Sequence, residues 1–341
     1  MATVEKLPSG SYRARGYAYV DGRRVARSFT ERSRREALSL ALEFEQMHPR
    51  GASSVTVKEC MRKHIDLRKA VLSPSTIRGY EKILELHFKG IQNIPVSSLT
   101  AERVQQEINL LAEKHSPKTV RNIYGFLTAS LLSSGESVDL RQVKLPQKSV
   151  VEMHIPSDAD IRLMLRESEG TRIHPCILLA AFGGLRRSEI SALLPEDIDL
   201  QSNIVRISKA IVRGDDENWH KKAPKSVSGT RIVPYPPGVL KTVITAKAPE
   251  SDTVTGMTPA AITCAFERLM CRLHMDFRFH DLRHYTASVL LALNVPDKYA
   301  MEIMGHATNS TLKQIYQHTM DEKRREVAEK MTSYFSSFPS K

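Results

Sequence analysis

The chain has 341 residues, of which 41% are hydrophobic and 26% charged, a composition typical of a globular protein with room for two large domains. Its 50 Lys and Arg against 38 Asp and Glu give a net charge of +12. This excess favours a polyanionic partner, because neutralising phosphates releases condensed counterions; a basic protein that binds no nucleic acid is the alternative. No apolar run approaches the roughly 20 residues of a membrane span. The four cysteines are scattered, so we expect reduced thiols, a cytoplasmic location and no membrane contact.

The first 52 residues predict a small separate module. Two alternating segments, Tyr12–Val20 and Arg23–Phe29, flank Asp21-Gly22, a pair that favours a tight hairpin turn. A helix should follow, with Leu38, Leu42 and Phe44 as its apolar positions. We expect a two-stranded ribbon with basic and aromatic side chains on one exposed face, which fits a major groove; a solvated charged face is the alternative. The expected DNA-contacting residues are Arg13, Arg15, Arg23, Arg24 and Arg27.

Residues 55–135 predict a helical bundle. Helices should start at Ser73-Pro74, Thr100 and Ser116-Pro117, because Ser and Thr cap helix N-termini and Pro is favoured at the first helical position. Apolar side chains recur behind each start at helical spacing, so they predict a core and no cofactor site. Residues 136–156 are polar without a clear period and are interpreted as an inter-domain linker.

Residues 157–320 show a mixed pattern in which helices dominate, with short strands at 204–207 and 231–234. A tail follows over residues 321–341. It carries an apolar stripe at helical spacing, made of Val327, Met331, Tyr334, Phe335 and Phe338. The predicted fold class is therefore α+β and mainly α: a β-ribbon and helix module, a helical bundle and a mixed, mostly helical domain.

Four clusters in the C-terminal half carry the residues suited to phosphate chemistry. They are Gly183-Gly-Leu-Arg186-Arg-Ser-Glu189, Lys225 followed by Arg231-Ile-Val-Pro, His280-Asp-Leu-Arg283-His284, and Gly305-His306 followed by Tyr316. Each cluster alone is a weak signal, since a single Arg, His or Tyr is usually structural. Their joint order and spacing are not explained by separate structural roles.

The ordered set resembles the tyrosine recombinase (phage integrase) family. That family has an Arg after Gly-Leu with a Glu three residues on, and a lysine on a β-turn before an Arg-x-Val/Ile-Pro stretch. A His-x-x-Arg pair and a Gly-His shortly before a Tyr complete it. Every element is present here in that order, with His306 ten positions before Tyr316. The resemblance covers essentially the whole chain, with residues 1–52 similar to an arm-binding domain and residues 55–135 to a core-binding domain.

The resemblance implies a site-specific recombinase, the integrase of a phage or other mobile element, working in the cytoplasm of a bacterial host. It implies Tyr316 as the nucleophile and Lys225 as the acid for the leaving hydroxyl, with Glu189 supporting the site. The other implied catalytic residues are Arg186, His280, Arg283 and His306. The implied partners are double-stranded DNA with core and arm sites, a homotetramer on that DNA, and an accessory DNA-bending or excision factor. Neither a metal nor a cofactor is implied.

The residue types suit this chemistry on physical grounds. A tyrosine oxygen that attacks a phosphodiester stores the bond energy as a phosphotyrosine. The attack builds negative charge on the non-bridging oxygens, which preorganised cationic donors offset. Arg186 and Arg283 fit that task because a guanidinium binds two phosphate oxygens in a fixed fork. His280 and Arg283, three apart on a predicted helix, should share one face.

Several alternatives stay open. Lys221 or Lys222 could take the place of Lys225, and Arg187 stands beside Arg186. A metal site at the histidines of 274–284 is disfavoured, because no carboxylate or Cys spacing completes it. A regulator that binds DNA without cutting it would not require a nucleophile. A type IB topoisomerase shares the chemistry, but the arm-like module and the spacing of Gly-His to Tyr favour a recombinase.

Overall fold

The computed structural model describes residues 3–20, 23–47, 55–134, 138–148, 154–223, 229–247, 250–305 and 328–334. Their contacts divide the chain into two compact units, Met1–Val150 and Val151–Lys341. Each unit has buried apolar clusters of its own. The expected α+β and mainly helical fold class is confirmed.

A three-stranded antiparallel sheet opens the first unit. Its strands β1 (Thr3–Lys6), β2 (Tyr12–Val20) and β3 (Arg23–Glu31) lie in that order. The two predicted strands are confirmed, but the expected two-stranded ribbon gains β1 at the edge of β2, with Lys6 opposite Tyr12. Four residues are too few for an alternating pattern to stand out from the flanking sequence.

Helix α1 (Arg34–Met47) packs closely on one face of this sheet. A Cβ added at Gly16 would lie 2.7 Å from the Ala41 carbonyl oxygen, so the close approach requires glycine. The predicted apolar stripe is wrong in part, because Leu42 is 41% exposed while Ala37 and Ala41 are fully buried. Small side chains face the sheet here since the helix backbone lies too near for leucine.

The strand register divides the arginines of the sheet between its two faces. Directly opposed residues of antiparallel strands share a face. Arg27 lies opposite Gly16 and therefore on the α1 side, with its guanidinium 5.6 Å from the centre of the Phe29 ring. The expectation that the five arginines share one exposed face is wrong, because side chains on a strand alternate with a period of two.

The face turned away from α1 carries Arg13 and Arg15. Arg13 lies opposite Glu5 in the register, and their side chains form a partly exposed ion pair at 3.7 Å. For Arg23 and Arg24 the structure describes only backbone pairing. The described side chains therefore identify Arg13 and Arg15 as the arginines of the solvent-facing surface of the sheet.

Four helices are described in the rest of the first unit: α2 (Val57–Arg68), α3 (Pro74–Leu86), α4 (Ala101–Lys114) and α5 (Pro117–Ser134). The three predicted helix starts are confirmed. Thr100 Oγ1 accepts the Arg103 N–H at 3.4 Å, which satisfies a backbone donor that the helix itself leaves unpaired. The predicted apolar stripes form the core, with buried Ile77, Leu84, Val104, Ile108, Leu111, Val120, Ile123, Leu127 and Leu131.

Residues 138–148 of the predicted 136–156 linker lie against these helices. The Lys144 N–H donates to Gln105 Oε1 at 2.7 Å, and Arg121 Nη2 donates to the Pro146 carbonyl at 2.6 Å. Leu140 also packs on the apolar core of the bundle. Residues 138–148 are therefore held by the first unit, because single apolar side chains and backbone hydrogen bonds anchor a segment that has no periodic pattern.

The second unit combines helices with two small sheets. Strands β4 (Ile198–Asp199), β5 (Ile204–Ile207) and β8 (Arg231–Pro234) form one sheet in the order β4-β5-β8, while β6 (Ala210–Arg213) and β7 (Trp219–Lys222) form a hairpin. The strands predicted at 204–207 and 231–234 are confirmed, whereas the β6–β7 hairpin was not predicted. The helices are α6 (Asp158–Ser168), α7 (His174–Gly183), α8 (Arg187–Ile190), α9 (Val239–Thr245), α10 (Pro259–Leu273), α11 (Asp281–Ala292) and α12 (Asp297–Met304).

Helix α7 is the centre of this unit. It is apolar on all sides and almost entirely buried, as expected of a core helix, and it packs against α6, α8, α9 and α11. Residues 328–334 of the predicted tail are helical. Across the described ranges, every helix is too short or too polar to serve as a membrane span.

Candidate active site

Arg186 is positioned by the tight connection between α7 and α8. Gly184 ends α7 in a left-handed conformation, with φ of +65°, and a Cβ there would lie 2.7 Å from Met304 Sδ. The left-handed backbone conformation therefore favours glycine at this position. Arg186 then caps α8: its backbone N–H donates to Glu189 Oε2 at 2.8 Å, and its Nη1 donates to Glu189 Oε1 at 2.7 Å. Glu189 therefore binds one side of the Arg186 guanidinium, while the side chain as a whole stays 35% exposed.

Glu189 is a buried carboxylate shared by two arginines. Besides Arg186, it binds Arg231, whose Nη1 and Nη2 donate to Oε1 and Oε2 at 3.0 and 2.9 Å. Burial alone raises the pKa of Glu189, but hydrogen bonds and charge from Arg231, together with Arg186, outweigh it and lower the pKa to about 2. Glu189 is therefore ionised at every pH at which the protein would act, and it supports the site without exchanging protons.

Arg283 is the largest of the fully buried side chains in the described ranges, with 2% exposure. Its Nη1 donates to the Gly184 carbonyl and its Nη2 to the Met304 carbonyl. Burial lowers the pKa of Arg283, and the charges of Arg186 and Arg231 act in the same direction. A charge is costly to bury unless it is hydrogen-bonded, so these two carbonyls explain how the group is kept in the interior.

The C-terminal turn of α12 holds all three arginines. The carbonyl of Ile303 accepts from Arg231 Nε at 2.8 Å, that of Met304 accepts from Arg283, and that of Gly305 accepts from Arg186 Nη2 at 2.9 Å. The last carbonyls of a helix lack partners within the helix and carry the negative end of its dipole. Three consecutive carbonyls therefore gather three guanidinium groups at the point where the chain continues into residue 306.

His280 lies beside this cluster, directly before α11. Its ring meets the buried ring of His284 edge-on, with centroids 5.0 Å apart. Partial burial lowers the pKa of His280 to about 4, and the charges of His284, Arg283 and Arg186 add to this effect against the opposing charge of Asp281. At neutral pH the imidazole is uncharged, so it serves as a hydrogen-bond donor or acceptor and adds no positive charge.

We expect the imidazole of His280 to titrate near pH 4, below the ordinary value of about 6.5. Its folded-state pKa is depressed, so the unfolded chain takes up this proton first as the pH falls. The free energy of unfolding should therefore decrease between about pH 6.5 and 4. NMR of labelled imidazoles, assigned with His280→Gln, measures the midpoint. Replacing His284 with Asn should raise that midpoint; a midpoint above 6 in the unaltered chain would contradict the prediction.

A cavity of about 330 Å³ opens beside Arg186, and one face of the β6–β7 hairpin forms part of its wall. Lys222 lines this cavity, while Lys221 lies opposite Ile211 on the other face of the hairpin. Lys209 also lines it and is bound to Asp197 Oδ2 at 3.1 Å. Of the two alternative lysines, the structure therefore places Lys222 near Arg186 and turns Lys221 away.

Three of the six predicted catalytic residues, Arg186, His280 and Arg283, lie in the described ranges and are brought to one place. Lys225, His306 and Tyr316 lie outside the described residues. Arg187 is distinguished from Arg186 by its direction, since its Nη1 donates to Thr263 Oγ1 at 2.6 Å on the exposed surface. The Gly-Leu-Arg register thus selected the arginine that faces the cluster.

Sequence reasoning did not assign a role to Arg231 or to the carbonyls of α12. Arg231 alternates with exposed Ile232 on a short strand, and it points inward. Such a pattern inverts the usual rule that apolar residues face the core. An arginine in the inward position of an otherwise apolar strand was the available signal.

The comparisons with known proteins agree with this geometry. Residues 158–323 match the model of the phage integrase family. A XerC-like tyrosine recombinase of Caldanaerobacter subterraneus subsp. tengcongensis is 22% identical over 365 residues, covering 92% of this chain and 93% of that protein. A putative prophage phiRv2 integrase of Mycobacterium tuberculosis is 28% identical over 166 residues, covering 45% of this chain and 44% of that protein.

Solved integrases share the fold. The integrase of transposon Tn1549 in complex with transposon right-end DNA superposes with a TM-score of 0.68 at 20% identity, covering 81% of this chain and 99% of that one. A lambda integrase dimer bound to a COC′ core site gives a TM-score of 0.60 at 14% identity, covering 92% and 93%. At these identities the likeness shows a common fold.

The family match, the order of the motifs and the observed grouping of Arg186, Arg283 and His280 agree with one another. The family match spans the segment that contains the predicted tyrosine and every arginine of the cluster. Residues 158–323 are therefore a phage integrase family domain, the catalytic domain of a tyrosine recombinase, an enzyme that breaks and rejoins DNA strands.

Proposed function

We propose that this recombinase integrates and excises a mobile element, cutting each DNA strand through a 3′-phosphotyrosine at Tyr316. The observation that supports this most directly is the anchoring of Arg186 and Arg283 on adjacent carbonyls of Gly305 and Met304. The two guanidinium groups and the uncharged His280 beside them form a group of hydrogen-bond donors suited to binding one phosphate. His306 follows Gly305 directly in the sequence, and Tyr316 comes ten residues later.

The proposed reaction needs no external energy source. The Tyr316 hydroxyl loses its proton to solvent as its oxygen attacks the scissile phosphorus and forms the phosphotyrosine. The bond from phosphorus to the 5′-oxygen breaks, and that oxygen leaves with a proton from Lys225. Arg186 and Arg283 offset the charge that develops on the non-bridging oxygens, while His280 and His306 hydrogen-bond to the phosphate. Attack by the 5′-hydroxyl of another strand reverses these steps and releases the tyrosine.

Incubation with a nicked suicide substrate tests this function. Such a DNA loses a short fragment after cleavage, so the covalent complex accumulates and appears as a protease-sensitive shifted band. A regulator that only binds DNA would give no such band. Relaxation of a supercoiled plasmid that carries no recombination site would favour the topoisomerase alternative instead.

The proposed assembly is a DNA-dependent homotetramer on core and arm sites in the cytoplasm of a bacterial host. A lambda integrase tetramer bound to a Holliday junction shares the fold, with a TM-score of 0.60. In the tail of residues 321–341, Met331 and Tyr334 are 54% and 63% exposed, and we propose that this tail docks on a neighbouring protomer. An accessory DNA-bending or excision factor completes the proposed partners.

The solvent-facing arginines of the N-terminal sheet should serve the arm site. We expect Arg13→Ala combined with Arg15→Ala to weaken arm-site binding by about 10-fold, because each lost phosphate contact weakens electrostatic binding. Cleavage of a core-site suicide substrate should be unchanged, while full integration should fall since it requires the bridged complex.

Arg27→Ala is the matched control for this pair, because it removes an arginine from the α1 side of the same sheet. Footprinting of the arm and core sites with both proteins decides the question. Equal protection of the arm site by the double variant and the unaltered chain would show that the sheet is only a solvated basic surface.

A further inference from the structure

We propose that Arg231 is a positioning residue for strand cleavage, which binds Glu189 so that Arg186 keeps its positive charge for the scissile phosphate. The inference rests on the proposed function of Arg186. It assigns a role in the reaction to a side chain that reaches neither the DNA nor the reacting atoms.

The surroundings of Arg231 exclude direct contact with DNA. Its side chain is 1% exposed. Its donors are directed to protein acceptors: Nε to the Ile303 carbonyl, and Nη1 and Nη2 to the two oxygens of Glu189. A Cβ added at Gly305 would lie 2.9 Å from Nη1, so the guanidinium is packed against the turn that ends α12. Any effect of Arg231 on DNA must therefore pass through these neighbours.

Glu189 couples Arg231 to Arg186, because both arginines bind the same buried carboxylate. The carboxylate is 6% exposed and accepts from both arginines through both of its oxygens. Because Arg231 meets it with two parallel bonds, Arg231 compensates its charge inside the protein. Without Arg231, the Glu189 carboxylate would pair with Arg186 alone. The negative charge of Glu189 would then neutralise the guanidinium of Arg186, which would attract the scissile phosphate less strongly.

Arg231 also contacts the site through a hydrogen bond to the end of α12. The Ile303 carbonyl that it binds lies two residues before Gly305, whose carbonyl binds Arg186. The same turn leads directly to His306. Arg231 therefore links the strand β8, the Glu189 carboxylate and the C-terminal end of α12.

The test measures single-turnover cleavage of a suicide substrate by the full chain with Arg231→Met, Arg231→Lys and the double change Arg231→Met with Glu189→Gln. Two versions of the substrate are compared. One has the natural scissile phosphate, and the other has a methylphosphonate, in which a methyl group replaces a non-bridging oxygen and removes the negative charge. Arg206→Met, an exposed arginine on the neighbouring strand β5, controls for the loss of an arginine from this sheet.

We expect Arg231→Met to slow cleavage of the natural phosphate about 100-fold, the size of effect seen when one preorganised donor is lost. On the neutral methylphosphonate the loss should shrink to about threefold, because less charge has to be offset. Arg231→Lys should lie in between, since it keeps the charge but not the two parallel bonds. The double change should recover most of the rate, because no carboxylate remains to neutralise Arg186.

Equal losses on the two substrates would overturn the inference, since a purely structural defect does not depend on substrate charge. An unimpaired Arg231→Met variant would overturn it as well. If thermal unfolding shows that Arg231→Met does not fold, the Arg231→Lys variant and the double change are tested instead. Their cleavage of the natural phosphate is compared with their cleavage of the methylphosphonate in the same way. Absence of an adduct with the unaltered chain would instead overturn the proposed function.

Discussion

Replacing Tyr316 with Phe is expected to abolish the covalent protein–DNA adduct while DNA affinity stays unchanged. The change removes only the oxygen that we propose attacks the phosphorus, so the cleavage rate should fall by at least about 10⁴-fold, as for loss of a nucleophile elsewhere. Single-turnover cleavage of a suicide substrate measures the rate, and a gel-shift titration measures the affinity.

The matched control for Tyr316→Phe is Tyr299→Phe. Tyr299 is 57% exposed on α12, close in sequence to the site but outside the cluster. Its variant should cleave at the rate of the unaltered chain. Persistence of the adduct in the Tyr316 variant would show that another side chain is the nucleophile.

Replacing Arg186 with Ala should lower the cleavage rate by about 10³-fold, because we propose that its guanidinium is one of the preorganised donors to the developing charge. DNA affinity should fall far less, since many phosphate contacts contribute to binding. Glu189 and the Gly305 carbonyl bind the guanidinium of Arg186 on its protein side. Its exposed side is the one that we expect to contact the substrate. Cleavage rate and gel-shift affinity, measured on the same DNA, separate the two effects.

Arg187→Ala is a close control because the removed side chain is chemically identical and adjacent in sequence. Arg187 is directed away from the cluster, to Thr263, so its loss should change the cleavage rate by less than about threefold, as for other exposed substitutions. Similar losses in both variants would mean that the Gly-Leu-Arg register does not select the residue that acts on the phosphate.

The helical parts of the fold were predictable because their signals are local. Ser73, Thr100 and Ser116 mark the starts of α3, α4 and α5, and the apolar residues behind them form the buried core. Capping and periodicity depend on a few neighbouring residues. The edge strand β1 and the β6–β7 hairpin were missed because Thr3–Lys6 and Trp219–Lys222 are rich in charged residues and carry little strand pattern of their own. The equally short β5 and β8 were predictable because they contain runs of Ile and Val.

The sequence by itself indicated the integrase family and the order of the chemical groups, because the spacing of residues within short motifs is a local property. The structure brings Arg186, His280 and Arg283 together, and their catalytic roles remain predictions. Lys225, His306 and Tyr316 remain predictions from the same spacing. Which face of the sheet α1 covers, and therefore which arginines are on the solvent-facing side, depended on tertiary packing that the alternation of residues alone does not determine.

Only the tertiary structure decided how the site is held together. It placed Arg231, a residue 42 positions away, on Glu189, and it brought Gly184 and Arg283, 99 positions apart, into contact. It also directed the carbonyls of Ile303, Met304 and Gly305 at three arginines from three separate segments. Backbone carbonyls look the same at every position of a sequence, so their use as ligands for charge emerges only when a helix end is packed against its partners.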